Sequence, residues 1–140
     1  MKDKLLDCTI ENDNRNIFTA KEQGKVYSYY NNSKRNIAKI KVEDCVFFDN
    51  VKKCDWLFQV ENILSIFVEL KGSDIRKGQK QLLITYEALK VYINNEIWFR
   101  LCIGKHNSVP KSIKQDKVYR NLFEISKGNI KIEKNIIDIN

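Results

Sequence analysis

Cys54-Asp55-Trp56-Leu57-Phe58-Gln59-Val60, a short polar break, then Ser65-Ile66-Phe67-Val68-Glu69-Leu70-Lys71-Gly72-Ser73-Asp74: this is the stretch that decides the fold. Both halves are apolar runs of strand length, so they read as strands over 54–60 and 66–71. The break between them is short enough to predict an antiparallel hairpin. Each strand also carries charge that its apolar neighbours do not explain. Asp55 begins the first, and Glu69 and Lys71 end the second. Charges in such settings are costly unless paired or bound to a counter-ion.

Strand alternation converts this pattern into geometry. Glu69 and Lys71 face one side of the sheet, while Val68 and Leu70 face the other and pack. Asp55 points opposite to Trp56 and Phe58. For Asp55 to lie directly across from Glu69, the hairpin loop must have an odd number of residues, such as 61–63. Two carboxylates brought that close repel each other unless a cation binds between them. Mg²⁺, or Mn²⁺ in its place, takes carboxylate oxygens and keeps several waters. Lys71, on the same face, could orient a water or neutralise developing charge. The bland alternative is a solvent-facing salt bridge among Asp55, Glu69 and Lys71, since an E-x-K triplet alone is common.

Outward from the hairpin, Gly72-Ser73-Asp74 closes the second strand and offers Ser73 or Asp74 as a helix N-cap. Ile75, Leu82, Tyr86 and Leu89 recur at helical spacing and predict a helix over 75–91, broken by Asn94-Asn95. A strand over 97–103, a loop to Pro110, a helix over 114–125 and a last strand within 130–139 follow. Before the hairpin, a strand is expected over 37–48 and another over 26–30. The region up to Asn36 is polar and does not look helical. The order of elements predicts a mixed α/β, or α+β, domain.

The 140 residues suit a single domain over 1–140, with its core at about 37–103. With 25 basic and 18 acidic residues the chain carries a net charge of +7, which favours a polyanionic partner. No run is apolar enough for a membrane span, and the start, Met1 to Cys8, lacks a signal-peptide apolar region. Cys8, Cys45, Cys54 and Cys102 show no C-x-x-C spacing. They read as small buried hydrophobes in a reduced, cytoplasmic setting. His106 alone does not make a zinc site.

The run C-D-W-L-F…F-V-E-L-K-G-S-D…Q-L resembles the core of the PD-(D/E)XK nuclease superfamily. That likeness implies a restriction-endonuclease-like core: a central mixed sheet, an antiparallel hairpin carrying the site, and flanking helices. It makes Asp55 the first motif acid, Glu69 the second and Lys71 the motif lysine. It implies a Mg²⁺- or Mn²⁺-dependent nuclease, acting on DNA, with the Leu70 carbonyl as a further metal ligand. Cys54 stands where the namesake motif has proline, a position that varies in the superfamily.

Several subgroups of that superfamily place a glutamine on the following helix. Gln81 lies with Gly78, Thr85 and Ala88 on a small-residue face and is preferred, with Gln79 on the apolar stripe as the alternative. Glu43 or Asp44, being adjacent in a strand, could contribute one ligand at most, and the likeness favours Glu43. Glu11 and Glu22 are weaker candidates. Lys52, Lys53, Arg76, Lys77 and Lys80 surround the motif as candidate phosphate contacts, followed later by Lys105, Lys111, Lys114, Lys117 and Arg120. A homodimer or a larger complex would suit so small a domain. An RNA nuclease and a non-cutting binding module of the same fold are the alternatives.

Overall fold

The computed structural model describes residues 1–71, 73–93 and 95–140, so the expected turn at Gly72 and the Asn94 part of the helix break lie outside the described residues. The chain is a mixed α+β domain. Its strands are β1 (Thr9–Asp13), β2 (Ile17–Glu22), β3 (Lys25–Tyr30), β4 (Ile37–Lys41), β5 (Trp56–Val60), β6 (Leu64–Leu70), β7 (Glu96–Cys102), β8 (Ile130–Glu133) and β9 (Ile136–Ile139). Its helices are α1 (Lys2–Asp7), α2 (Ile75–Leu89) and α3 (Lys117–Ile125).

Six strands form a central mixed sheet in the order β1-β4-β5-β6-β7-β8. The pairs from β1 to β6 are antiparallel, and β6-β7 and β7-β8 are parallel. A smaller sheet, β2-β3-β9, covers one face. Phe18, Tyr27 and Tyr29 from it pack against Phe58, Ile66 and Val68 of the central sheet. Helices α2 and α3 cover the other face, where Leu82, Leu89 and Leu122 meet Leu57, Phe67, Phe99 and Leu101. Phe67, Phe99 and Tyr86 of α2 form an aromatic trio with centroids 5.6–6.0 Å apart, each contact contributing about 1 kcal/mol beyond its buried area.

Strand β6 lies at the centre of this three-layer stack and all seven of its residues are buried. A strand covered on both faces reads as a nearly continuous apolar run, and Glu69 is the one charged residue in it. The two sheets are also joined by charge. Arg100 of β7, 1% exposed, donates to both oxygens of Asp138 on β9, at 2.7 and 3.1 Å. Lys131 and the Tyr27 hydroxyl complete the shell of Asp138.

Several expectations are corrected. The N-terminal segment, which did not look helical, begins with the helix α1 and continues in the strands β1 and β2. The strand expected over 37–48 ends at Lys41, and residues 42–47 turn back, with the Val42 carbonyl accepting from the amides of Cys45, Val46 and Phe47. The last strand is two, β8 and β9, in different sheets. The helix expected over 75–91 ends at Leu89 and continues as a 3₁₀ turn, Lys90–Tyr92; that expected over 114–125 starts at Lys117 after another, Ile113–Gln115. Cys8 and Cys45 are joined in a disulfide rather than being separate thiols; Cys54 and Cys102 are free and buried. The β1-β4 pairing brings residue 8 beside residue 41, and no local spacing motif signals so distant a bond. Among the described residues, no helix is long and apolar enough to cross a membrane.

Candidate active site

The hairpin takes the register required of it. Trp56 lies opposite Val68 and Val60 opposite Leu64, which leaves residues 61–63 as the loop and sets Asp55 opposite Glu69. A β-turn from Val60 to Ile63, with Glu61 at φ +50°, makes the reversal. Each carboxylate is clasped by the other strand's backbone. The Asp55 amide donates to Glu69 Oε1 at 3.1 Å, and the Leu70 amide donates to Asp55 Oδ2 at 2.9 Å. Both acids face the helix side of the sheet, as Leu57 and Phe67 do.

Burial pushes the Glu69 carboxyl up from its ordinary 4.5 to about 9, reinforced by the neighbouring Asp55 charge. Lys71 pulls the other way and is outweighed. The Asp55 carboxyl is also raised, again first by burial. Lys71 forms no ion pair with either acid among the described residues. A satisfied salt bridge would lower both acids. Both are raised instead, the direction expected of two carboxyls brought together with no cation between them.

Helix α2 fixes the approach to Asp55. Asp74 caps it by accepting from the Lys77 amide at 3.0 Å. Gly78 lets it press onto the sheet: a Cβ there would lie 2.9 Å from a Leu101 methyl and 3.3 Å from Lys71 Cβ. One turn on, Gln81 Nε2 donates to the Lys53 carbonyl at 3.2 Å, and a further turn on, Thr85 Oγ1 accepts from the Cys54 amide at 2.8 Å. The small-residue face of α2 therefore grips the backbone immediately before Asp55. Gln81 lines the cleft over the carboxylates, and its Oε1 is buried with no partner among the described residues. Gln79 is buried too, with both amide atoms unpartnered, but does not line the cleft.

The cleft has a volume of about 420 Å³ and brings Asp55, Glu69, Leu70, Lys71 and Gln81 together. Both Glu43 and Asp44 line it, contrary to the expectation that at most one could. That expectation assumed a strand. Asp44 sits in a turn at φ +62°, and alternation does not apply. Glu43 Oε2 accepts from the Lys53 amide at 2.7 Å, which ties the 42–53 loop back to the start of β5.

The candidate phosphate contacts divide. Lys52 and Lys77 line the cleft. Lys53 does not: it is buried, its ammonium bonded to Asp49 and the Val51 carbonyl at 2.9 Å each and lying over the Phe47 ring. Arg76 is committed to Asp116 at 2.7 Å and Ser112 at 3.2 Å. Lys80 is exposed away from the cleft. Of the opposite wall, only Glu22 was among the residues expected from the sequence, and there as a weaker candidate. That wall comes from Lys41, at the end of β4, and from Glu22, Gln23 and Lys25 of the β2-β3 hairpin. A two-residue turn, Gln23-Gly24, with φ of +47° and +82°, joins those strands. The Q-G pair between alternating runs was a usable signal.

Among the described residues, no three His, Cys, Asp or Glu side chains converge as a ready-made metal cage. Mg²⁺ does not need one, since it is commonly held by one or two carboxylates plus water and substrate. The Asp55–Glu69 pair, its raised proton affinity and the orphaned Gln81 oxygen fit that mode of binding. No family model, curated protein or solved structure matches the chain.

Proposed function

We propose that the chain is a metal-dependent phosphodiesterase acting on nucleic acid, DNA first, of the PD-(D/E)XK type with a restriction-endonuclease-like core. The observation that carries this reading is the directly opposed Asp55–Glu69 pair, Glu69 buried and Asp55 half-buried, sharing a cleft with Lys71. The mixed sheet, with its antiparallel β4-β5-β6 portion and the parallel β6-β7 crossover through α2, supports the fold likeness.

Asp55 and Glu69 would hold Mg²⁺ or Mn²⁺, which when bound would polarise a phosphate oxygen and lower the pKa of a coordinated water. The amides of Asp55 and Leu70 keep the two carboxylates turned toward each other. Lys71 would orient the attacking water or neutralise charge gathering on phosphorus. Gln81 Oε1, left without a partner, would accept a hydrogen bond from a water held at the ion. Glu43, on the cleft wall with one oxygen taken by the Lys53 amide, would hold a second water or an outer contact of the ion through the other.

The test is plasmid nicking with Mg²⁺ or Mn²⁺ by wild type, Glu69→Ala and Lys71→Ala, with an RNA substrate run in parallel. Cleavage by wild type and a loss of at least about 100-fold in each variant is expected. Equal cleavage in all three, or none in any, would sink the reading.

A further inference from the structure

We propose that Lys25 is a phosphate-binding residue and that the β2-β3 hairpin forms the second wall of a polynucleotide groove; this rests on the nuclease reading of the cleft. Lys25 is 6% exposed, yet its ammonium makes no hydrogen bond, ion pair or cation–π contact with any described residue. Its stem is packed while the ammonium keeps an opening to solvent, unlike that of Lys53, which is bonded to Asp49 and the Val51 carbonyl. What solvent reaches of it lies on the cleft wall, across from α2 and the carboxylate pair. The tight turn at Gln23-Gly24 and the Glu22–Lys25 pairing hold it there rather than on a mobile tail.

Charge counting supports an anionic ligand. Among the described residues the cleft is lined by five carboxylates and five lysines, formally neutral. One divalent cation on the acids makes it +2, the charge of two successive phosphodiester groups. Lys71 stands beside the carboxylates and so beside a phosphate being cut. Lys25 and Lys41, on the facing wall, are placed for a neighbouring phosphate of the same strand. A phosphodiester backbone of at least two linkages matches both this charge and the lysines on two sides of the cleft. Contacts of this kind position a strand without reading its sequence.

The experiment is fluorescence anisotropy of labelled DNA and RNA oligonucleotides in metal-free buffer over a salt series, with wild type, Lys25→Met and Lys25→Arg. Circular dichroism checks the fold of each. Lys25→Met should weaken binding about tenfold at low salt and reduce the slope of log K against log salt by about 1, with Lys25→Arg near wild type. Whichever nucleic acid shows the difference is the source of the phosphates. Unchanged affinity and slope in folded Lys25→Met would overturn the proposal, as would failure of wild type to bind either polymer. If Lys25→Met does not fold, Lys25→Arg decides: a tenfold loss there overturns phosphate binding, which either cation should supply. Binding that depends on Lys25 without cleavage would fail the nuclease reading alone, and cleavage indifferent to Lys25 would fail this one alone.

Discussion

Replacing Glu69 with glutamine should make the metal-free protein more stable. At neutral pH the unfolded chain ionises this carboxyl, whereas the folded protein holds it protonated, with its pKa raised to about 9. The native state must therefore take up a proton, at about 1.4 kcal/mol for each pH unit above the ordinary value of 4.5. That is about 3 kcal/mol at pH 7 and below about 1 kcal/mol at pH 5. The sign follows from the upward shift: the contribution is fully present below pH 4.5 and is lost as pH rises toward 9. Glutamine needs no proton, can still accept from the Asp55 amide, and can donate to the Asp55 carboxylate. Glu69→Gln should thus gain about 1–3 kcal/mol at pH 7, or about 3–10 °C in Tm for a chain of this size. The gain should shrink at pH 5 and grow at pH 8. Mn²⁺ or Mg²⁺ should raise the Tm of wild type and leave that of Glu69→Gln unmoved. Thermal melts at three pH values, with and without metal, read all of this. A variant less stable than wild type at pH 7, or a difference independent of pH, would refute the reasoning and return Glu69 to an ordinary ion pair.

Gly78→Val should cost about 1–3 kcal/mol in denaturant unfolding, because its side chain would meet Leu101 and Lys71 where α2 crosses the sheet. Breaking the Cys8–Cys45 bond, whose partners are 37 positions apart, should cost about 4 kcal/mol, read as a drop in Tm on adding a dithiol reductant; an unchanged Tm would mean the bond does not form in solution. Arg100→Met should cost about 3–5 kcal/mol by stranding buried Asp138, and Arg100→Met/Asp138→Leu should recover much of that; additive losses in the double variant would show that the pair is not coupled.

Much of the site was legible because it is local. The hairpin register depends on loop length and strand period, so residues 54–71 alone gave the condition, an odd loop such as 61–63, under which Asp55 and Glu69 stand opposite each other, and the structure meets it. The face of α2 carrying Gly78, Gln81 and Thr85 was legible for the same reason: helical spacing is a property of one segment. The partners of Lys53 and Arg76 were not legible because a lysine or arginine near a motif looks alike in sequence whether it faces solvent or a carboxylate. Asp49 and Asp116 decide that only once the chain is folded. Glu43 and Asp44 were misread because an apolar run was taken as one strand, when the Val42 carbonyl gathers three amides and ends it.

The sequence by itself determined the carboxylate pair, the lysine beside it and the capped helix that follows, since each is set by periods of two or 3.6 residues over short spans. Only the tertiary structure decided the second sheet, the disulfide, the Arg100–Asp138 link and the far wall of the cleft. Those join residues tens of positions apart, from Cys8 with Cys45 to Tyr27 with Asp138. Such contacts depend on which surfaces remain to be buried after the hairpin has formed, and no local pattern records that.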